Sequence, residues 1–199
     1  MITKILQAIF SVPFFYNQMQ IFFGSNVKKG LVKKHYTFLS SQAVILDLGG
    51  GTGLYRDLWP KNYKYICLDN DTTKLNGFLK NHPGDTGLFA DAARIPLKDK
   101  SVHVVFCSSM SHHLTQDVLM TVLAEGARVL HPDGKFMFLD AVLRQESPLN
   151  RFLWSLDRGE HPHTEDVLLS CFQKYFNVET FEKFSRYYDF IFMAGSRRS

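Results

Sequence analysis

From residue 43 onward the chain alternates short, near-continuous apolar runs with longer stretches in which apolar positions recur every three or four residues. Val44–Leu48, Tyr63–Leu68, Gly87–Ala90, Val102–Ser108 and Lys135–Ala141 are the short runs, and their β-branched and aromatic content predicts strands. Runs that are apolar at successive rather than alternate positions belong to a sheet covered on both faces. Between them, Leu54–Trp59, Asp71–Asn81 and Leu114–Leu130 read as helices. In the last, Leu114, Val118, Leu119, Val122, Leu123 and Val129 fall mostly at helical spacing. His131-Pro-Asp-Gly134 ends that helix, because proline cannot continue it and glycine permits a turn. A fourth helix starts near Thr164, where Thr164-Glu165-Asp166 supplies a cap and two early acids, and runs to about Tyr175. Asn177–Phe184 and Tyr187–Gly195 then form two closing strands joined near Ser185-Arg186. The pattern predicts a doubly wound α/β fold: five parallel strands, a C-terminal antiparallel hairpin and helices on both faces.

Composition narrows this picture in two places. The 199 residues are 45% hydrophobic and 21% charged, as one globular core requires, and no repeat or low-complexity tract interrupts them. The net charge of +4 is unevenly placed: residues 1–40 hold Lys4, Lys28, Lys29, Lys33 and Lys34 and no acid, the first being Asp47. The same stretch carries Phe10, Phe14, Phe15, Tyr16, Phe22, Phe23, Tyr36 and Phe38, apolar surface that needs covering. Three readings of residues 1–40 stand: a helical cap on the sheet edge, a lid over an apolar acceptor, or peripheral contact with an anionic membrane surface. With no linker visible, residues 1–199 form one domain, with a core over 43–199.

The early apolar run, Ile5 to Phe23, is broken by Gln7, Asn17, Gln18 and Gln20, which argues against a signal peptide or a transmembrane span. Cys67, Cys107 and Cys171 form an odd set, two of them inside core-strand runs. Reduced thiols and a cytoplasmic location are the expectation.

The candidate chemistry begins at the end of the first strand, the place where open α/β sheets bind ligands. There stands Asp47-Leu-Gly-Gly-Gly-Thr-Gly53. Glycines allow a tight turn and close approach of a ligand to the backbone, and a helix starting at Leu54 would offer free N–H groups. A dinucleotide loop needs G-x-G-x-x-G, but from Gly49 the third position falls on Leu54 and from Gly51 on Arg56. A Walker loop needs Gly-Lys-Ser/Thr, and none follows. The second strand ends on Asp69, 20 residues after Gly49, where a carboxylate can meet two vicinal ribose hydroxyls. The neighbouring Asn70 and Asp71 are equally placed to cap the next helix.

Asp47, Gly49, Gly51 and Gly53 fill D-x-G-x-G-x-G, and over residues 43–141 the chain resembles the class I S-adenosylmethionine-dependent methyltransferases, in their small-molecule, type 11-like branch. The segment Asp91-Ala-Ala-Arg-Ile-Pro-Leu97 resembles the family's adenine-contacting stretch. Phe106 to Leu114 looks like its fourth-strand exit, and Leu123 to Gly134 matches its L-x-E-x-x-R-V-L-x-P-x-G helix end. The resemblance implies a Rossmann-like, seven-stranded, mostly parallel sheet. It also implies S-adenosylmethionine as methyl donor, leaving as S-adenosylhomocysteine. Its cofactor contacts would be Asp47 near the methionine end, the backbone of Gly49, Gly50, Gly51 and Gly53, Asp69 and Asn70 at the ribose, Asp91 and Ala92 at the adenine, and Ser108. One departure is His103, where the family usually has Asp; it is expected to have no bearing on the cofactor.

On the acceptor side, His112 and His113 follow the fourth strand and Asp140 ends the fifth. Either histidine is a base or substrate anchor, or a residue that bonds a backbone carbonyl and shapes the next helix start. Asp140 is a substrate contact or a buried ion-pair partner. His161-Pro-His163 lacks a third ligand at metal spacing, so no metal is expected. The family patterns of nucleic-acid base methylation are missing, as is a basic stripe with interleaved aromatics, so nucleic acid is not an expected partner. The expected reaction is methyl transfer to a small apolar or aromatic metabolite at oxygen, carbon or nitrogen. The alternatives are a catalytically silent cofactor-binding regulator and an RNA or protein methyltransferase. The oligomeric state is left open.

Overall fold

A computed structural model describes residues 25–35, 42–144, 154, 160–185 and 188–198. Seven strands form one sheet: β1 (Val44–Leu48), β2 (Lys64–Asp69), β3 (Thr86–Phe89), β4 (Val102–Ser108), β5 (Leu130–Val142), β6 (Phe176–Ser185) and β7 (Asp189–Arg197). Their order is β3-β2-β1-β4-β5-β7-β6. The first five are parallel, β7 pairs antiparallel with both β5 and β6, and β6 therefore points the same way as the first five. The order reverses between β1 and β4, which opens a crevice at the carboxyl ends of those two strands.

Among the described residues four helices cover this sheet: α1 (Ser25–His35), α2 (Thr72–Asn81), α3 (Gln116–Val129) and α4 (Glu165–Tyr175). Leu46, Leu48, Val105, Cys107, Phe136 and Phe138 point to one face, against Leu119, Leu123 and Phe172 of α3 and α4. Ile45, Tyr65, Val104, Phe106 and Leu139 point to the other, against Val32 of α1, Phe78 of α2 and Trp59. Both faces are buried, which is why the strands read as unbroken apolar runs. Each fully buried aliphatic or phenyl side chain contributes about 1.5–3 kcal/mol by leaving water.

Two expectations change. Residues 54–59 form turns and one 3-10 turn, Arg56–Leu58, rather than a helix. Pro60 holds Trp59 extended (ψ 140°), and so short a segment cannot sustain helical nucleation. The helix end at residue 129 passes straight into β5, and residues 131–134 bulge from the ladder between the pairs Val102↔Leu130 and Val104↔Lys135. Gly134 is needed there for close approach, not for a left-handed turn: a Cβ would lie 2.8 Å from His103 O. Of residues 1–40, only 25–35 are described. Lys34 and His35 of α1 both bond Glu182 of β6, and His35 stacks on Phe192 of β7. The lid and membrane readings of the rest lie outside the described residues, as does the turn at Arg186 and Tyr187. No helix among the described residues is long and apolar enough to cross a membrane.

Candidate active site

β1 delivers the glycine loop to the crevice. Gly49, Gly51 and Gly53 all have positive φ (66°, 57° and 80°), the region that a Cβ disfavours. A Cβ on Gly51 would meet nothing closer than 3.7 Å, so this stretch of backbone faces open space. At Gly49 a Cβ would lie 2.8 Å from Met110 Sδ, at Gly50 2.6 Å from Asp47 Oδ2, and at Gly53 it would overlap the Phe78 ring. With no helix at Leu54, the loop is closed by its own bonds, Gly53 N to Gly50 O at 2.9 Å and Arg56 N to Gly53 O at 3.0 Å.

Two carboxylates act on this loop from different sides. Asp69, at the end of β2, accepts from Gly51 N (2.9 Å) and, across Asn70, from Asp71 N (2.8 Å). Each oxygen of an ionised carboxylate accepts two bonds, so both retain capacity for a ribose hydroxyl. Asp47 is buried beneath the loop and accepts from the Tyr65 hydroxyl. Burial pushes its carboxyl up to about 7, the Tyr65 bond opposing and the Asp69 charge adding to the rise. Tyr65 in turn lies under the Arg56 guanidinium, which pairs with Asp85. The sequence did not single out Tyr65. β1 and β2 present Asp47 and Tyr65 on one face, but only the register Ile45↔Tyr65 and Asp47↔Cys67 makes them neighbours.

Past β3, Asp91 is exposed and accepts from Ala93 N (2.9 Å), while half-buried Ala92 packs against the core beside it. The segment 91–97 is held by α3: Glu125 accepts from Ile95 N (2.8 Å), and Arg128 donates to Ile95 O (2.8 Å) and Leu97 O (2.9 Å). Asn70 is exposed at the loop's rim.

Past β4, Ser108 is buried and its hydroxyl has no hydrogen-bond partner among the described residues. Ser109 follows at φ 52°, a left-handed conformation that is strained for a residue with a side chain and frequent at functional sites. Asp140 fixes the turn: Oδ2 accepts from Met110 N (3.0 Å), Ser111 N (2.8 Å) and Ser111 Oγ (2.7 Å). Its Oδ1 meets His112 Nδ1 at 2.9 Å. Burial alone would raise the Asp140 carboxyl, but the His112 charge and the bonds from His112 and Ser111 bring it down to about 2. Facing the ionised Asp140, His112 Nδ1 is the donor of this pair. Met110 fills the space that a Gly49 side chain would need, which puts this pair and the glycine loop side by side. His113 is exposed, its ring 4.3 Å from that of His112. His161 N donates to His112 O (2.9 Å), and the His163 imidazole meets Leu114 O (2.9 Å), so both strap the same turn. No group of three or more His, Cys, Asp or Glu able to hold a metal occurs among the described residues.

The open glycine backbone, a carboxylate with unused acceptor capacity and an unpartnered buried hydroxyl fit an adenosyl amino-acid ligand at this edge. Residues 46–138 match the family model described as a methyltransferase domain. The chain carries a class I methyltransferase domain. Solved structures that share its fold include complexes with S-adenosylmethionine or its product. The geranyl diphosphate C-methyltransferase of Streptomyces coelicolor A3(2), in complex with geranyl diphosphate and S-adenosyl-L-homocysteine, superposes with a TM-score of 0.73 at 10% identity, covering 87% of this chain and 81% of that one. In sequence, the methyltransferase domain is 30% identical over 142 residues to "Uncharacterized methyltransferase YcgJ" of Bacillus subtilis, 67% of this chain and 55% of that protein. It is 33% identical over 101 residues to the fatty-acid O-methyltransferase of Mycolicibacterium smegmatis, 50% of this chain and 36% of that protein. The chain thus spans about half or less of the length of these two relatives.

Proposed function

We propose that this chain transfers a methyl group from S-adenosylmethionine to a hydroxyl or acidic carbon of a small apolar molecule, with His112 as general base. The observation that carries the proposal is the buried Asp140–His112 pair beside the glycine loop. Gly49, Gly50, Gly51, Gly53, Asp69, Asn70, Asp91, Ala92 and Ser108 would hold the donor, Asp47 bracing the loop from beneath. When bound, S-adenosylmethionine supplies a methyl already activated by its sulfonium charge. What remains for the protein is to align an acceptor and take up its proton. Asp140 orients the imidazole and favours its protonated form, so His112 Nε2 receives the proton as the acceptor oxygen or carbon becomes bonded to methyl. Asp140 is in this sense a positioning residue, and exposed His113 an acceptor contact. The fatty-acid acceptor named for the Mycolicibacterium relative supports an apolar substrate.

The test is transfer of labelled methyl from S-adenosylmethionine into fractionated extract. Label in small organic-soluble molecules is expected. Label in RNA or protein, or tight S-adenosylhomocysteine binding without transfer to anything, overturns the reading, the latter in favour of a regulatory protein. His112→Asn is expected to lower kcat about 100- to 10,000-fold while S-adenosylhomocysteine affinity stays unchanged. Asp140→Asn should shift the pH profile of kcat, which loss of a purely structural anchor would not do.

A further inference from the structure

The sheet edge opposite the glycine loop also carries a concave surface. α3 and α4 end there, β7 leaves the sheet there, and the chain enters β4 there through Lys100. Between them lies a cleft of about 480 Å³ whose lining includes Lys100, Arg128, Lys174, Arg197 and Arg198 against a single carboxylate, Asp99. The cations come from four separate parts of the chain, so they surround the cleft instead of following one helix face.

Part of this charge is already used. Arg128 is held by Glu125 and Asp99, each at 2.7 Å, and Arg198 donates to Gln173 O at 2.6 Å. Lys100, Lys174 and Arg197 have no carboxylate partner among the described residues. The helix ends do not require them either. Arg128 O and Val129 O accept from the backbone N–H of Lys100 and Ser101, and Tyr175 O from that of Arg198. The proposed methyl transfer uses none of Lys100, Lys174 and Arg197, and they lie at the ends of the strands remote from Gly51 and Asp69.

We infer that this cleft is a second ligand site, for a small molecule bearing two or more linked phosphates. Its volume falls within the roughly 300–1,000 Å³ of small-molecule sites. The Arg197 guanidinium and the Lys100 and Lys174 ammonium groups, brought to the cleft by three different segments, match a diphosphate, whose oxygens present several acceptors at once. The free diphosphate and a nucleotide share this chemistry, and half-buried Tyr175 in the lining would add a ring for the nucleotide's base.

Calorimetric titration of the full chain with sodium pyrophosphate and with ATP tests this, each with and without saturating S-adenosylhomocysteine. One-site binding that persists with S-adenosylhomocysteine present is expected, and tighter ATP binding would identify the nucleotide as the better source. In Lys174→Glu/Arg197→Glu the affinity should fall at least about tenfold through loss of two charge-assisted contacts, with S-adenosylhomocysteine affinity unchanged. Both substituted residues are exposed, and Lys100→Gln provides a second variant with the same expected direction. Unchanged affinity in both variants, displacement by S-adenosylhomocysteine, or binding no tighter than that of sulfate overturns the inference.

Discussion

At the scale of single residues, the candidate site is organised by two buried acids with opposite titration behaviour. Asp140 has five donors and is held near 2, so it stays charged and keeps its neighbours in place. Asp47 has the Tyr65 hydroxyl and little else to offset its burial, and titrates at about 7 against an ordinary 3.8. A carboxyl whose folded value is raised contributes stability in full below its unfolded value and loses it as pH rises through the folded one. Wild-type stability should therefore fall by up to about 4 kcal/mol between about pH 4 and pH 7 from this group, at about 1.4 kcal/mol per unit. Denaturant titration across that range should show the slope in the wild type and its loss in Asp47→Asn, which cannot ionise. His103 shows another residue-level economy. Its Nδ1 accepts from Val44 N at 3.1 Å and so satisfies the first backbone donor of β1.

At the scale of elements, α3 does more than cover the sheet. Glu125 and Arg128 sit one turn apart on a face that α3 turns toward the connection between β3 and β4, and together they bond the backbone of Ile95 and Leu97. The Arg128 hydrogen bonds hold the Glu125 carboxyl below its ordinary value, outweighing its partial burial. The E-x-x-R spacing is thus a clamp on the segment that begins at Asp91. Glu125→Ala would leave the Ile95 N–H unpaired in a buried position, and should lower stability by about 1–3 kcal/mol. Limited proteolysis should cut within 91–97 sooner in that variant, while cleavage elsewhere keeps its order. Faster cleavage everywhere would mean global destabilisation and would rule the clamp out.

At the scale of the whole molecule, the strand order places the loops after β1, β2, β3 and β4 along one edge, so a ligand there bridges elements far apart in sequence. Binding only to the folded state should stabilise the protein by about 2.7 kcal/mol at a hundredfold excess of S-adenosylhomocysteine over Kd, raising Tm by about 5–10 °C. Asp69→Ala should remove most of that shift, because it takes away the anchor of Gly51 N and, in the proposed function, the ribose acceptor. Asp69→Asn, which keeps one acceptor oxygen for the loop, should fall between. If Asp69→Ala shows the full wild-type shift, Asp69 does not belong to the site.

The order and type of nearly all elements, the glycine loop and the acids at strand ends were legible in the sequence. Each is a local signal: periodicity over one element, or spacing within one turn. The Leu54–Trp59 stretch was misread because its apolar positions come from packing under the loop, while Pro60 and short length deny it a helix. Tyr65 as partner of Asp47, and Asp140 as the hub of the turn after β4, needed strand register, which no spacing along one strand reveals. The same holds for the basic cleft, whose residues 99–100, 128, 174 and 197–198 are scattered in sequence and meet only where α3, α4 and β7 end. Sequence by itself determined the glycine loop and the acids at the strand ends, because these are contiguous motifs. Tertiary structure alone decided which buried acids are paired, which histidine is oriented and where positive charge collects, because those depend on distances between chain segments that only folding brings together.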